Sequence, residues 1–193
     1  MTDDLVPLLV KIEMALRRLG RQVLLESLQG GLPVGAVRSS VEAAGLRSSA
    51  ELESLFGWRD GTATAGVMAV DDIHIFPGFY LLSLEDALAN HKAFAADRRW
   101  SAGWLPIFAN GAGDFYAADL GPSLAEVPLR HFRIEESEHP IEFSSLHGLL
   151  TTLVEAFDRG VIFVDPDGYL EMDDLVFADL AAELNPDVQW WRE

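Results

Sequence analysis

Trp104-Leu105-Pro106-Ile107-Phe108-Ala109-Asn110-Gly111-Ala112-Gly113-Asp114-Phe115-Tyr116-Ala117-Ala118-Asp119 is the stretch that decides how this chain folds. Two apolar runs, 104–109 and 114–119, flank an asparagine and two glycines, which supply the conformations a tight reversal needs. The pattern predicts an antiparallel hairpin. Downstream, 127–134 alternates apolar and polar side chains as a third strand, and 140–143 is short enough for a fourth. Upstream, Phe76-Pro77-Gly78-Phe79 reads as a turn leading into a strand at Tyr80-Leu81-Leu82. Strands joined by short turns, rather than alternating strictly with helices, predict an antiparallel sheet with helices packed on it, an α+β fold.

Helix signals surround these strands. Ser83 precedes a segment with Glu85 and Asp86 in its first turn, predicting a helix to about residue 97. Ser144 or Ser145 precedes Leu146, Leu149, Leu150, Leu153, Val154 and Phe157, and Gly160 closes that helix. Residues 161–164 and 169–171 flank Asp165-Pro166-Asp167-Gly168, a turn in which proline presets φ and glycine takes the positive-φ position. A last helix is expected over 173–184. Near the N-terminus, apolar residues recur at helical spacing from 4 to 28, Gly30-Gly31-Leu32-Pro33 breaks the pattern, and a short helix follows over 34–44. Ser48 and Glu51 have capping-box spacing before a helix ending at Gly57. The chain accordingly divides into an N-terminal helical appendage, 1–45, and an α+β domain, 46–193.

Composition excludes several functions. Of the 193 residues, 31 are acidic and 14 basic, a formal charge of −17, so nucleic acid is not an expected partner. The charge is graded: 1–50 holds six basic against five acidic side chains, whereas 151–193 holds two against eleven. Any electrostatic partner surface is therefore expected in the second half. There is no cysteine, which removes disulfides, thiol catalysis and Cys-ligated metal, and suits a reducing compartment. Residues 1–4 are acidic where a secretory signal would be basic, and no run approaches the roughly 18 apolar residues of a membrane span. The expectation is a cytoplasmic protein with no membrane partner.

Catalytic motifs fail in turn. The chain has no G-x-S-x-G, no H-E-x-x-H and no phosphate-cradling G-x-x-x-x-G-K-[ST]. Gly111-Ala112-Gly113 lacks the third glycine of a dinucleotide loop and enters a strand. His74, His91, His131, His139 and His147 contain no i, i+4 pair. Counting from Asp165, an EF-hand loop would require glycine where Leu170 stands. Asp114 and Asp119 could pair for acid–base work, but read better as strand-end groups. No cofactor, no metal and no enzymatic activity are expected. Trp58, Trp100, Trp104, Phe108, Phe115 and Tyr116 form an unusual aromatic set around turns, where rings fill a core or anchor a partner.

These residues resemble the SUKH superfamily, which includes the fungal Smi/Knr cell-wall-synthesis regulators. The resemblance runs from about Leu46 to Asp174. It rests on Leu52, Leu55, Phe56, Trp58, Asp60 and Gly61, on Phe79-Tyr80-Leu81-Leu82-Ser83-Leu84-Glu85-Asp86-Ala87, and above all on the block 104–119. Leu46-Arg47 stands where a leucine–proline pair is common, and residues 1–45 have no counterpart. The resemblance implies an α+β domain that binds a protein partner. It implies first a bacterial immunity protein neutralising a toxin, a nuclease among the candidates, and alternatively a regulatory adaptor linked to cell-wall synthesis. A small-ligand or metal-dependent enzyme is the reading behind both. Net acidity suits a basic toxin as partner. Trp58, Asp60, Asp114, Tyr116 and Asp119 are the candidate partner-binding residues.

Overall fold

The reversal at 110–113 closes through its own side chain: Asn110 Oδ1 accepts the backbone N–H groups of Ala112 and Asp114 at 2.8 and 3.0 Å. Gly111 and Gly113 take φ of +80° and +109°, a region L-residues rarely enter. The computed structural model describes residues 5–66, 68–121 and 127–192, and the fold is α+β. The acidic residues 1–4, on which the reading of the N-terminus rests, lie outside them.

In chain order the elements are α1 (Val6–Arg18), α2 (Gln22–Ser27), β1 (Leu28–Gly30), α3 (Val34–Ala43), α4 (Ala50–Trp58), β2 (Arg59–Thr62), β3 (Tyr80–Leu81), α5 (Leu84–Phe94), β4 (Trp104–Ala109), β5 (Phe115–Asp119), β6 (Leu129–Phe132), β7 (Ile141–Phe143), α6 (Leu146–Asp158), β8 (Ile162–Val164), β9 (Leu170–Met172) and α7 (Asp174–Leu184). Short 3-10 turns at Val70–Ile73 and Gln189–Arg192 complete the set. Strands β3 to β7 form one antiparallel sheet in sequential order, and β1–β2 and β8–β9 are separate two-stranded ribbons.

Every residue of β4 and β5 is buried, because the central strands are covered on both faces. Phe115 pairs in register with Phe132 on one face, where Phe94 of α5 and Trp100 complete an aromatic cluster with ring centroids 5.0 to 6.3 Å apart. Tyr116 pairs with His131 on the other face, beneath Phe76 and Phe79. Period-2 alternation thus sends adjacent rings into different halves of the core. Pro106 sits inside the sheet, where its missing N–H breaks a ladder bond, and the β4–β5 register shifts between Pro106 and Phe108.

The amphipathic stripe of α1 is used within the chain. Leu9, Ile12 and Leu16 are buried with Leu5, and α1 packs on α6 and α4. β1 pairs with β2, and Leu32 donates its N–H to Phe56 O at 2.8 Å. Residues 5–45 therefore share one buried core with the rest of the chain.

Two expected boundaries move. Ser49, not Ser48, caps α4 by accepting Leu52 N–H at 3.2 Å, while Ser48 donates to Glu53. Glu51 turns away from its own helix and accepts the N–H groups of Leu146 and His147 at 3.2 and 3.0 Å. The N-terminus of α6 competes successfully for this carboxylate because its first N–H groups have no partner within their own helix. Helix α5 stops at Phe94, three residues short of 97. Beyond it, Asp97 folds back onto Arg99 through bonds of 2.7 to 3.0 Å, which hold its carboxyl down to about 2.

Candidate partner-binding surface

Each residue singled out from the sequence is engaged inside the fold. Trp58 closes α4, half-buried against the core, with the Arg59 guanidinium 5.7 Å from its ring centroid. Asp60, on β2, accepts the N–H of Leu84 at 2.8 Å and so supports the start of α5 beside the Ser83 cap. Asp114 binds the Asn110 amide and accepts Ile134 N–H at 2.8 Å, tying the hairpin to the end of β6. Tyr116 is buried. Asp119 pairs with Arg130 at 2.8 Å and accepts Gly121 N–H. Asp114, Tyr116 and Asp119 lie along β5, whereas Trp58 and Asp60 lie at the α4–β2 junction. Among the described residues no hydrogen bond or ion pair joins the two groups.

Around β5 the sequence builds a polar network that spacing alone did not reveal. Tyr116 Oη donates to Glu142 Oε2 at 2.5 Å, and Glu142 is only 3% exposed. On its second oxygen stand His131 Nδ1 at 3.0 Å and Arg133 at 3.3 Å. Burial, then the Glu142 charge, pushes the Tyr116 phenol well above its usual value near 10. Trp191 donates its indole N–H to Glu142 O at 2.5 Å and covers the free edge of β7.

Beside this network lies a cleft of about 990 Å³ whose walls include Arg130, Arg133, His139, Ser144, Val188 and Trp190. Both guanidiniums are committed, Arg130 to Asp119 and Arg133 to Glu142, with Arg133 also stacked 5.0 Å over Trp190. Glu136, Glu138 and Asp187 share the walls. Burial and the nearby Arg99 charge keep His139 below its ordinary value. No group of three or more His, Asp or Glu among the described residues could hold a metal ion.

Residues 161–179 present a different surface. The β8–β9 register pairs Ile162 with Met172, Phe163 with Glu171 and Val164 with Leu170. Alternation therefore turns Ile162 and Leu170 inward, where they are buried, and turns Phe163, Glu171 and Tyr169 outward. Asp165 Oδ1 fixes the turn by accepting the N–H groups of Asp167 and Tyr169, each at 2.9 Å. Asp173 caps α7, and its own N–H returns to Val161 O, which places the helix start against the ribbon. Leu175 in that first turn is 81% exposed, Tyr169 50% and Phe163 40%. Among the described residues no lysine, arginine or histidine pairs with Asp165, Asp167, Glu171, Asp173, Asp174 or Asp179. The acidic second half was legible in the sequence. That apolar side chains stand out of it was not, because 161–164 reads as a uniformly apolar strand until pairing selects which side faces out.

No protein-family model matches this chain, and no curated protein matches it. Among the described residues no helix is long and apolar enough to cross a membrane.

Proposed function

We propose that this chain is a non-enzymatic protein-binding module of the SUKH type, acting in the cytoplasm of a bacterium as an immunity protein that neutralises a basic toxin. The observation that carries the reading is the uncompensated charge of the C-terminal quarter. Six carboxylates between 165 and 179 have no cationic partner among the described residues, in a chain whose net charge is −17. Self-repulsion of this kind lowers the stability of the free protein and is relieved when a cationic surface docks. It also accelerates encounter with that surface at low salt. The order and spacing of Trp58, Asp60, 79–87 and 104–119 add the resemblance to a superfamily of binding domains.

The test is capture of the tagged protein from lysate of its source organism at low salt, elution by salt, and assay of the eluted protein for toxicity with and without the chain. A single stoichiometric basic protein, released as salt rises and inhibited at one-to-one ratio, is the expected result. Recovery of several wall-synthesis proteins that salt does not release would replace the reading by that of a regulatory adaptor.

A further inference from the structure

Resting on that reading of a basic partner, we propose that the outer face of the β8–β9 ribbon and the first turn of α7 form the docking surface, with Phe163, Tyr169 and Leu175 as apolar anchors inside a rim of carboxylates. Solvated acidic residues alone would need no explanation. What does need one is a leucine left 81% exposed in the first turn of α7, a helix that starts against a ribbon from which a tyrosine and a phenylalanine face outward. Leu175 and Asp179 are four residues apart, so the helix presents apolar and acidic groups on one face. Anchors that desolvate at the centre and charges that remain at the rim are the arrangement of a protein-binding patch.

Charge sign selects the occupant. On α1, Val10 and Met14 are also exposed, but they stand beside Lys11 and an Arg17 already paired with Glu13, so that stretch carries no uncompensated acid to draw a basic surface. Around the ribbon the rim is Asp165, Asp167, Glu171 and Asp174, so the complementary partner carries arginines or lysines around an apolar pocket. The patch is also held rigid from beneath. Arg21, nearly fully buried, donates to Gly168 O at 3.1 Å and pairs with Asp71 at 3.2 Å, while Asp71 accepts Leu170 N–H at 3.3 Å. A ribbon fixed at its turn loses little freedom on docking.

The full chain, isotopically labelled, is titrated at low salt with a short peptide of alternating arginine and leucine, and separately with an oligolysine of equal charge. Amide shifts centred on 163–179 are expected, with the oligolysine binding about tenfold more weakly because it offers nothing to the anchors. Leu175→Ser and Tyr169→Ser are each expected to weaken the arginine–leucine peptide about tenfold at unchanged melting temperature. Binding with shifts elsewhere, or undiminished binding by both variants, overturns the docking face and leaves the basic-partner reading intact. Failure of both cationic probes to bind overturns that reading as well. Shifts over 163–179 that grow with protein concentration, without peptide, would assign the face to a second copy instead.

Discussion

Replacing Tyr116 by phenylalanine removes one oxygen from the centre of the sheet and leaves the ring in place. No cavity of consequence forms, so the cost is the lost hydrogen bond to a buried carboxylate. Bonds to charged groups contribute about 1.5–3 kcal/mol, and Glu142 keeps His131 and Arg133 after the loss, which places Tyr116→Phe near about 2 kcal/mol. In a chain of this size that lowers Tm by roughly 4–8 °C. A second signature follows from titration. The folded chain holds the phenol proton above pH 10 while the unfolded chain releases it, so wild-type stability falls as pH rises beyond 10. Tyr116→Phe should lose that share of the alkaline limb and keep the share due to Tyr80, which burial also raises. Urea melts from pH 8 to 11 on wild type, Tyr116→Phe, Glu142→Gln and the double variant measure both signatures and the coupling between them. A Tyr116→Phe protein within about 0.5 kcal/mol of wild type, with its alkaline limb intact, would refute the buried pairing.

On the acid side, burial keeps His74 and His139 below 6.5, so the unfolded chain takes up protons the folded chain refuses, and stability should fall as pH drops through 6.5. A urea midpoint that does not decline between pH 7.5 and 5.5, or that declines equally in a His74→Asn/His139→Asn variant, would contradict this. Arg21→Met takes the guanidinium from Asp71, which keeps Leu170 N–H and His74, and from the Gly168 carbonyl, and should cost about 3 kcal/mol by urea melt; a loss below about 1 kcal/mol would show the pair to be dispensable. Gly61 has φ of +81° and a Cβ there would stand 2.3 Å from Ser83 N, so Gly61→Ala should cost at least about 3 kcal/mol. Gly160, at φ +71° with open space around it, is the control, expected to lose only about 1 kcal/mol on the same change; equal losses would mean that backbone conformation, not the close approach of β2 to α5, governs both.

Some of this molecule is local chemistry and was therefore legible in the chain. The hairpin at 110–113 is set by asparagine and glycine within four residues, and the start of α5 by Ser83. The turn at 165–168 follows from aspartate, proline and glycine whatever surrounds them. The alternation of 127–134 and the leucine spacing of 146–157 announce one buried face each, and together they specify an α+β protein. Net charge and its gradient are sums over residues and need no fold at all.

Other features depend on which distant groups meet, and no local rule contains them. Glu51 reads as a capping-box residue, yet it caps α6, ninety-five residues away, because tertiary packing brings two unpaired N–H groups within its reach. Asp60, Asp114 and Asp119 read as candidates for a partner, and the fold also uses them to hold Leu84, Ile134 and Arg130, since buried or half-buried carboxylates take the donors the fold supplies. Glu142 drew no notice in sequence and sits at the centre of the buried polar network. The apolar run 161–164 could not say which side chains face outward, because strand register is fixed only when β9 pairs with β8 and the ribbon settles on the core. Composition thus determined the sign of this protein's surface. Only the tertiary structure decided where the acid stands unpaired and which apolar side chains stand with it.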